Sequence, residues 1–138
     1  MLSEREAETF RSTKCVVRVW RPAPTVLVTR AEGILTDQGA LNIESMMRRM
    51  VHDDGRVVGF HDWEDVTDYD LAARVRLTAV SVLLSRSIEG AHFLTRSRVV
   101  IFGVQMANAI LKKLTVHGSR PAFERMLEET VRTRRRAD

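Results

Sequence analysis

The sequence predicts an α/β fold: a single mixed, mostly parallel sheet of about four to five strands packed with about four helices, in the order β-β-α-β-α-β-α-(β)-α. Three observations predict it. Two β-branched runs near the start, "CVVRVW" and "TVLVTRAEGIL", are separated only by "RPAP". Two continuous apolar runs, "RVVGF" and "SRVVIFG", are bounded by turn signals, and amphipathic helical patterns alternate with them. The short first connection favours an antiparallel hairpin, whereas strands separated by helices pair in parallel through right-handed crossovers.

The first 14 residues are a polar lead-in, and strand character starts at Cys15 in a run that places Arg18 on one face. "RPAP" breaks the pattern, and a second strand starts at Thr25, with Gly33 marking a bulge. Thr36 or Asp37 caps a helix that carries Ala40, Ile43, Met47 and Met50 on one side and ends at "DDG", residues 53–55. "RVVGF" reads as a strand covered on both faces and belongs mid-sheet. A helix over about residues 70–88 follows, with Ala73, Leu77, Val80, Leu84 and Ile88 inward and Arg74, Thr78, Ser81 and Ser85 as a polar stripe. "SRVVIFG" repeats the buried-strand pattern, and residues 105–114 make a short helix on Ala107, Ile110, Leu111 and Leu114. "TVH" forms a brief edge strand. Ser119 then caps a last helix with Pro121 in its first turn and Phe123, Met126, Leu127 and Val131 inward. The elements make one domain over residues 15–131, followed by a basic tail over 132–138.

A chain of 138 residues with 44% hydrophobic content closes one core without disulfides or metal. The lone cysteine, Cys15, sits in an apolar run where a small buried thiol is expected, and this suits a cytoplasmic compartment. The charged amino-terminal segment lacks the apolar stretch of an export signal, and no later run has the length of a membrane span. The net charge of +4 is concentrated in "RTRRRAD", so the remainder is close to neutral and no nucleic-acid partner is expected.

The densest set of chemically usable groups is "HDWEDVTDYD", residues 61–70, with five carboxylates. A calcium loop requires oxygen ligands at alternating positions and a turn glycine; this segment has no glycine and places Trp63, Val66 and Tyr69 between its acids. His61 and Asp62 are neighbours, which on a strand point to opposite faces and do not share a metal. A catalytic pair of carboxylates needs two unlike environments facing a cleft, whereas acids crowded at a helix start are explained by the macrodipole, with Asp68 or Asp70 as the cap. No Ser-His-Asp order involves His52, His92 or His117, and the glycines match neither a phosphate loop nor a dinucleotide fingerprint. The expectation is a chain reversal with no catalytic residue, no metal and no cofactor.

The strand "RVVGFHDW" followed by "EDVTDYDLAARVRL", together with the order of elements, resembles the STAS superfamily of anti-sigma factor antagonists, over roughly residues 15–131. Asp62 stands at the family's first Asp, Val66 at its valine and Asp70 at its second Asp, and "AEGILT", residues 31–36, is similar to its Gly-x-Leu turn. The resemblance implies a non-catalytic regulatory module with a phosphorylated serine after the second Asp. Leu71 occupies that position and has no hydroxyl, so the resemblance is to a SpoIIAA-like member without the classical switch. The ending "VHGSRPAFERMLEETV" looks like the branch likened to CRAL-TRIO lipid-binding domains.

Two functions fit these observations. In the first, a protein partner, or a second copy of the chain in a homodimer, docks on Asp62, Trp63, Glu64, Asp65, Thr67, Asp68, Tyr69 and Asp70, with the two aromatics as anchors. In the second, Met46, Met47, Met50 and Phe102 line a pocket for an apolar or amphipathic small molecule between sheet and helices.

Overall fold

The computed structural model describes residues 7–136. Its strands are β1 (Glu8–Arg11), β2 (Cys15–Ala23), β3 (Val26–Leu35), β4 (Val57–Tyr69), β5 (Ile88–Leu94) and β6 (Leu114–Val116). Its helices are α1 (Asp37–Asp54), α2 (Leu71–Leu83), α3 (Arg98–Leu111) and α4 (Arg120–Arg136). The six strands form one sheet in the order β1-β2-β3-β4-β5-β6, one more than the upper bound expected from sequence. The extra strand, β1, pairs antiparallel with β2 and comes from the polar lead-in; its outward Glu8 meets Arg49 of α1 at 2.8 Å.

From β3 to β6 every step is parallel and in the same direction across the sheet. Crossovers of one hand then place α1, α2 and α3 on a single face. The opposite face is left to α4. Two cores result: Leu27, Ile43, Met50, Trp63 and Phe93 under the three crossover helices, and Trp20, Val28, Phe60, Phe123 and Leu127 under α4.

The β2–β3 hairpin turns at Thr25, whose φ of 67° is a strained value for a β-branched residue. Asp54 accepts from its backbone N–H at 3.0 Å and Arg134 donates to its hydroxyl at 2.8 Å, so the turn is held from both layers. Helix α1 is capped as its sequence predicts, with the Thr36 hydroxyl accepting from Gly39 N–H at 3.2 Å and Gly55 left-handed at the end.

Three elements depart from the sequence reading. Residues 62–69 are not a loop: they continue β4 and pair with β3 as far as Leu35↔Tyr69. Where β3 advances from Arg30 to Glu32, β4 advances from Asp62 to Asp65, and a second extra residue falls between Val66 and Asp68. These bulges turn Trp63, Val66 and Tyr69 to the same core at a spacing of three, which hides the strand from a search for alternation. The predicted strand "SRVVIFG" is instead the start of α3, where Ser97 accepts from Val100 N–H at 3.3 Å and caps the helix. The true neighbour of β4 is β5, "IEGAHFL", disguised by Glu89, Gly90 and His92, and α2 ends at Leu83 rather than near residue 88.

Candidate functional site

Between the sheet and the crossover helices lies a cavity of about 110 Å³. Small residues make it. Gly59, Gly90 and Ala91 form its floor on β4 and β5, and Gly103 and Ala107 face them from α3. A Cβ on Gly59 would meet His61 and one on Gly103 would meet Tyr69, so these two glycines let side chains of the lining lie close against the backbone. Both neighbouring helices are lightly seated: of its 13 residues α2 buries only Ala73 and Val80, and of its 14, α3 buries only Val100 and Val104. Ile43 and Met47 of α1 and Leu77 of α2 complete an apolar wall, while Thr78, Ser81 and Arg74 bring polar groups along its α2 side.

The floor carries one polar chain. Trp63 Nε1–H donates to the Thr29 hydroxyl at 3.0 Å, and that hydroxyl shares a 2.8 Å hydrogen bond with His61 Nδ1. His61 stacks on Phe93 with ring centroids 4.7 Å apart, and its Nε2 lies where a Cβ on Gly59 would come within 2.6 Å, so only glycine fits there. Burial, with a smaller contribution from His92, pushes the His61 imidazole down to about 3, and the ring is neutral at ordinary pH. Such a neutral imidazole adds a hydrogen-bonding atom on the sheet side of a mostly apolar chamber.

The opposite face holds a different cluster. Arg120, at the start of α4, forks onto Asp62 with bonds of 2.9 and 3.0 Å and also reaches Glu64 at 3.1 Å and Glu124 at 3.3 Å. These carboxylates, Asp62 first, raise the Arg120 guanidinium further above its usual value. His92 and His117 share a 2.9 Å nitrogen-to-nitrogen hydrogen bond, with His92 stacked on Phe60. Burial first, and His117 second, lower His92 to about 4. Among the described residues no group of three or more His, Cys, Asp or Glu is placed to hold a metal ion.

The residues expected to meet a partner are therefore divided between faces. Trp63 is 5% exposed and packed in the core, so it is not a surface anchor. Asp62 and Glu64 are engaged by Arg120. Asp65, Thr67 and Asp68 are exposed along β4, with the Thr67 hydroxyl donating to the Gly33 carbonyl at 3.4 Å. Asp70 stands at the N-cap of α2 but its side chain makes no capping bond, and Asp68 accepts from the Tyr69 N–H instead. Tyr69 is half-buried and donates to the Val99 carbonyl at 3.1 Å. Of the methionines expected in a pocket, Met47 lines the cavity, whereas Met46 and Met50 are packed in the core and Phe102 is exposed on the outer side of α3. Of the predicted polar stripe, Thr78, Ser81 and Ser85 are half-buried along the cavity, whereas Arg74 lines its edge and remains exposed. As far as Arg136 the basic tail continues α4 and packs on the fold: Arg134 pairs with Glu89 at 2.7 Å and Arg135 donates to the Pro22 carbonyl, while residues 137–138 lie outside the described residues.

Neither a protein-family model nor a curated protein sequence matches the chain. Among the solved structures similar in shape is an uncharacterised protein of the DUF3478 family with a SpoIIAA-like fold, from Shewanella loihica PV-4. It superposes with a TM-score of 0.60 over 88% of this chain and 91% of its own, at 11% identity. The fold is SpoIIAA-like. Within this SpoIIAA-like fold, Leu71 opens α2 and is 71% exposed, so the position after Asp70 is accessible but carries no hydroxyl to modify. No helix among the described residues is long and apolar enough to cross a membrane.

Proposed function

We propose that this protein is a non-catalytic binding protein that holds an apolar or amphipathic small molecule between its sheet and the helices α1, α2 and α3. The observation that carries this reading is the cavity itself, kept open by glycine and alanine on both the sheet and α3. A void of this kind forfeits dispersion contacts and costs stability, which an occupant restores. His61 supplies one neutral polar atom and the α2 stripe supplies hydroxyls, the pattern of a mostly apolar site with few orienting groups.

Native mass spectrometry of freshly purified protein tests it. Retention of a small molecule by the wild type, and its loss in Ala107→Phe, is the expected result; protein that is empty and takes up no added 1-octanol would refute it.

A second reading, a protein-interaction module, is favoured by the exposed apolar side chains Val75, Leu83, Phe102, Met106 and Ile110 on the outer sides of α2 and α3. It moves the docking surface from residues 62–70 to those two helices. An empty homodimer in the same mass spectrum, dissociated by Phe102→Glu, would favour it.

A further inference from the structure

Outside the cavity, the end of β4 and the first turns of α2 and α3 enclose an open groove of about 430 Å³. Leu71, Val99 and Phe102 give it an apolar wall, and Arg74 and Arg98 bring two guanidinium groups to it. Most arginines with ordered contacts here are neutralised: Arg76 meets Asp37 and Glu44, Arg120 meets Asp62, and Arg134 meets Glu89. Arg74 and Arg98 have no ion-pair partner among the described residues. The one carboxylate lining the groove, Asp68, is turned onto the Tyr69 backbone N–H at 2.8 Å. Tyr69 and Arg74 line both the groove and the cavity, so the two spaces adjoin, one cationic and open, the other mostly apolar and more sheltered.

We propose that the groove is a headgroup site, in which Arg74 and Arg98 bind the phosphate or carboxylate of an amphipathic anion whose hydrocarbon part lies in the cavity behind Tyr69. This rests on the cavity being a ligand site and adds the charge class of the ligand. Guanidinium forks match the oxygens of phosphate and carboxylate in paired hydrogen bonds, and both gain strength beside apolar walls. Leu71 and Phe102 then cover the segment that joins head to tail. A neutral head would leave both guanidinium groups unserved, and a cationic one would be repelled.

Binding of octyl phosphate, 1-octanol, octyltrimethylammonium and inorganic phosphate tests the assignment, read by the emission of Trp63, which lines the cavity. Trp20 lies in the opposite core, and Trp63→Phe assigns the signal. Octyl phosphate is expected to bind at least about tenfold more tightly than 1-octanol, Arg74→Gln/Arg98→Gln to erase that advantage, and Arg98→Gln, which lies outside the cavity lining, to reduce it while leaving 1-octanol within about twofold. Both arginines are exposed and have no ion-pair partner among the described residues, so the double variant keeps the fold, checked by its unchanged melting temperature. If 1-octanol binds but octyl phosphate is no tighter, or octyltrimethylammonium equals it, the headgroup site is refuted and the cavity reading stands. Inorganic phosphate binding as tightly as octyl phosphate would make the groove a free-anion site and refute the amphiphile. If neither 1-octanol nor octyl phosphate perturbs Trp63, both readings fall.

Discussion

Arg120 grips Asp62 through two parallel hydrogen bonds, 2.9 and 3.0 Å long, that fasten the first turn of α4 to the middle of β4. The pair is partly shielded, with side-chain exposures of 32% and 13%, so solvent screens it less than a surface pair. Arg120→Ala is expected to lower stability by about 1–2 kcal/mol in urea unfolding, and Arg120→Lys to recover less than half of that because an ammonium lacks the fork. Amide exchange should rise first in α4. An unchanged urea midpoint would show that Phe123, Leu127 and Val131 alone seat this helix.

Gly103 sits against the Tyr69 ring, and a Cβ added there would overlap the Tyr69 hydroxyl. Gly103→Ala is expected to destabilise by about 1–3 kcal/mol despite the better helix propensity of alanine. Removing the hydroxyl in Gly103→Ala/Tyr69→Phe should recover most of the loss. Thermal melts of the three proteins decide it, and equal melting temperatures for wild type and Gly103→Ala would contradict the close approach.

His61 gives stability a dependence on acid. Its folded pKa, about 3, lies below its unfolded value, so between pH 6.5 and 3 the unfolded chain binds the extra proton. Stability is then fully present above about pH 6.5, falls as pH drops, and by pH 3 has lost on the order of 5 kcal/mol from this group. His92, lowered to about 4, acts in the same direction. His61→Gln should flatten the slope of unfolding free energy against pH in that window; an unaltered slope would place the acid sensitivity elsewhere.

The cavity makes a prediction of its own. Ala107→Leu adds methyl groups to open space and is expected to raise stability by about 0.5–1.5 kcal/mol while weakening the uptake of 1-octanol. A loss of stability on that substitution would mean that the space is too small for the added atoms.

The antiparallel hairpin, the Thr36 cap and the terminal helix behind Ser119 were legible because each depends on contacts within a few residues, and the central position of "RVVGF" showed in its unbroken apolar run. What stayed illegible was set by pairing across the sheet. Bulges gave β4 a spacing of three at Trp63, Val66 and Tyr69, and the Val-Val-Ile-Phe run became helical once Ser97 capped it and Val100 and Val104 found the core. The cavity left only a faint trace, small residues set within apolar runs at Gly59, Gly103 and Ala107. Nothing local marks Arg74 and Arg98 as neighbours in one groove.

The sequence by itself determined the class of fold, the hairpin start, the missing hydroxyl at Leu71 and the apolar faces of α1 and α4, since side-chain period and capping chemistry are properties of neighbours along the chain. Only the tertiary structure decided which carboxylates are free and which are spent on Arg120, and that Trp63 points inward to Thr29. It also decided that the crossover helices stop short of filling the space above Gly59. The physical reason is that register, bulges and the depth at which a helix seats are fixed by packing between segments distant in sequence, and no single segment carries that information.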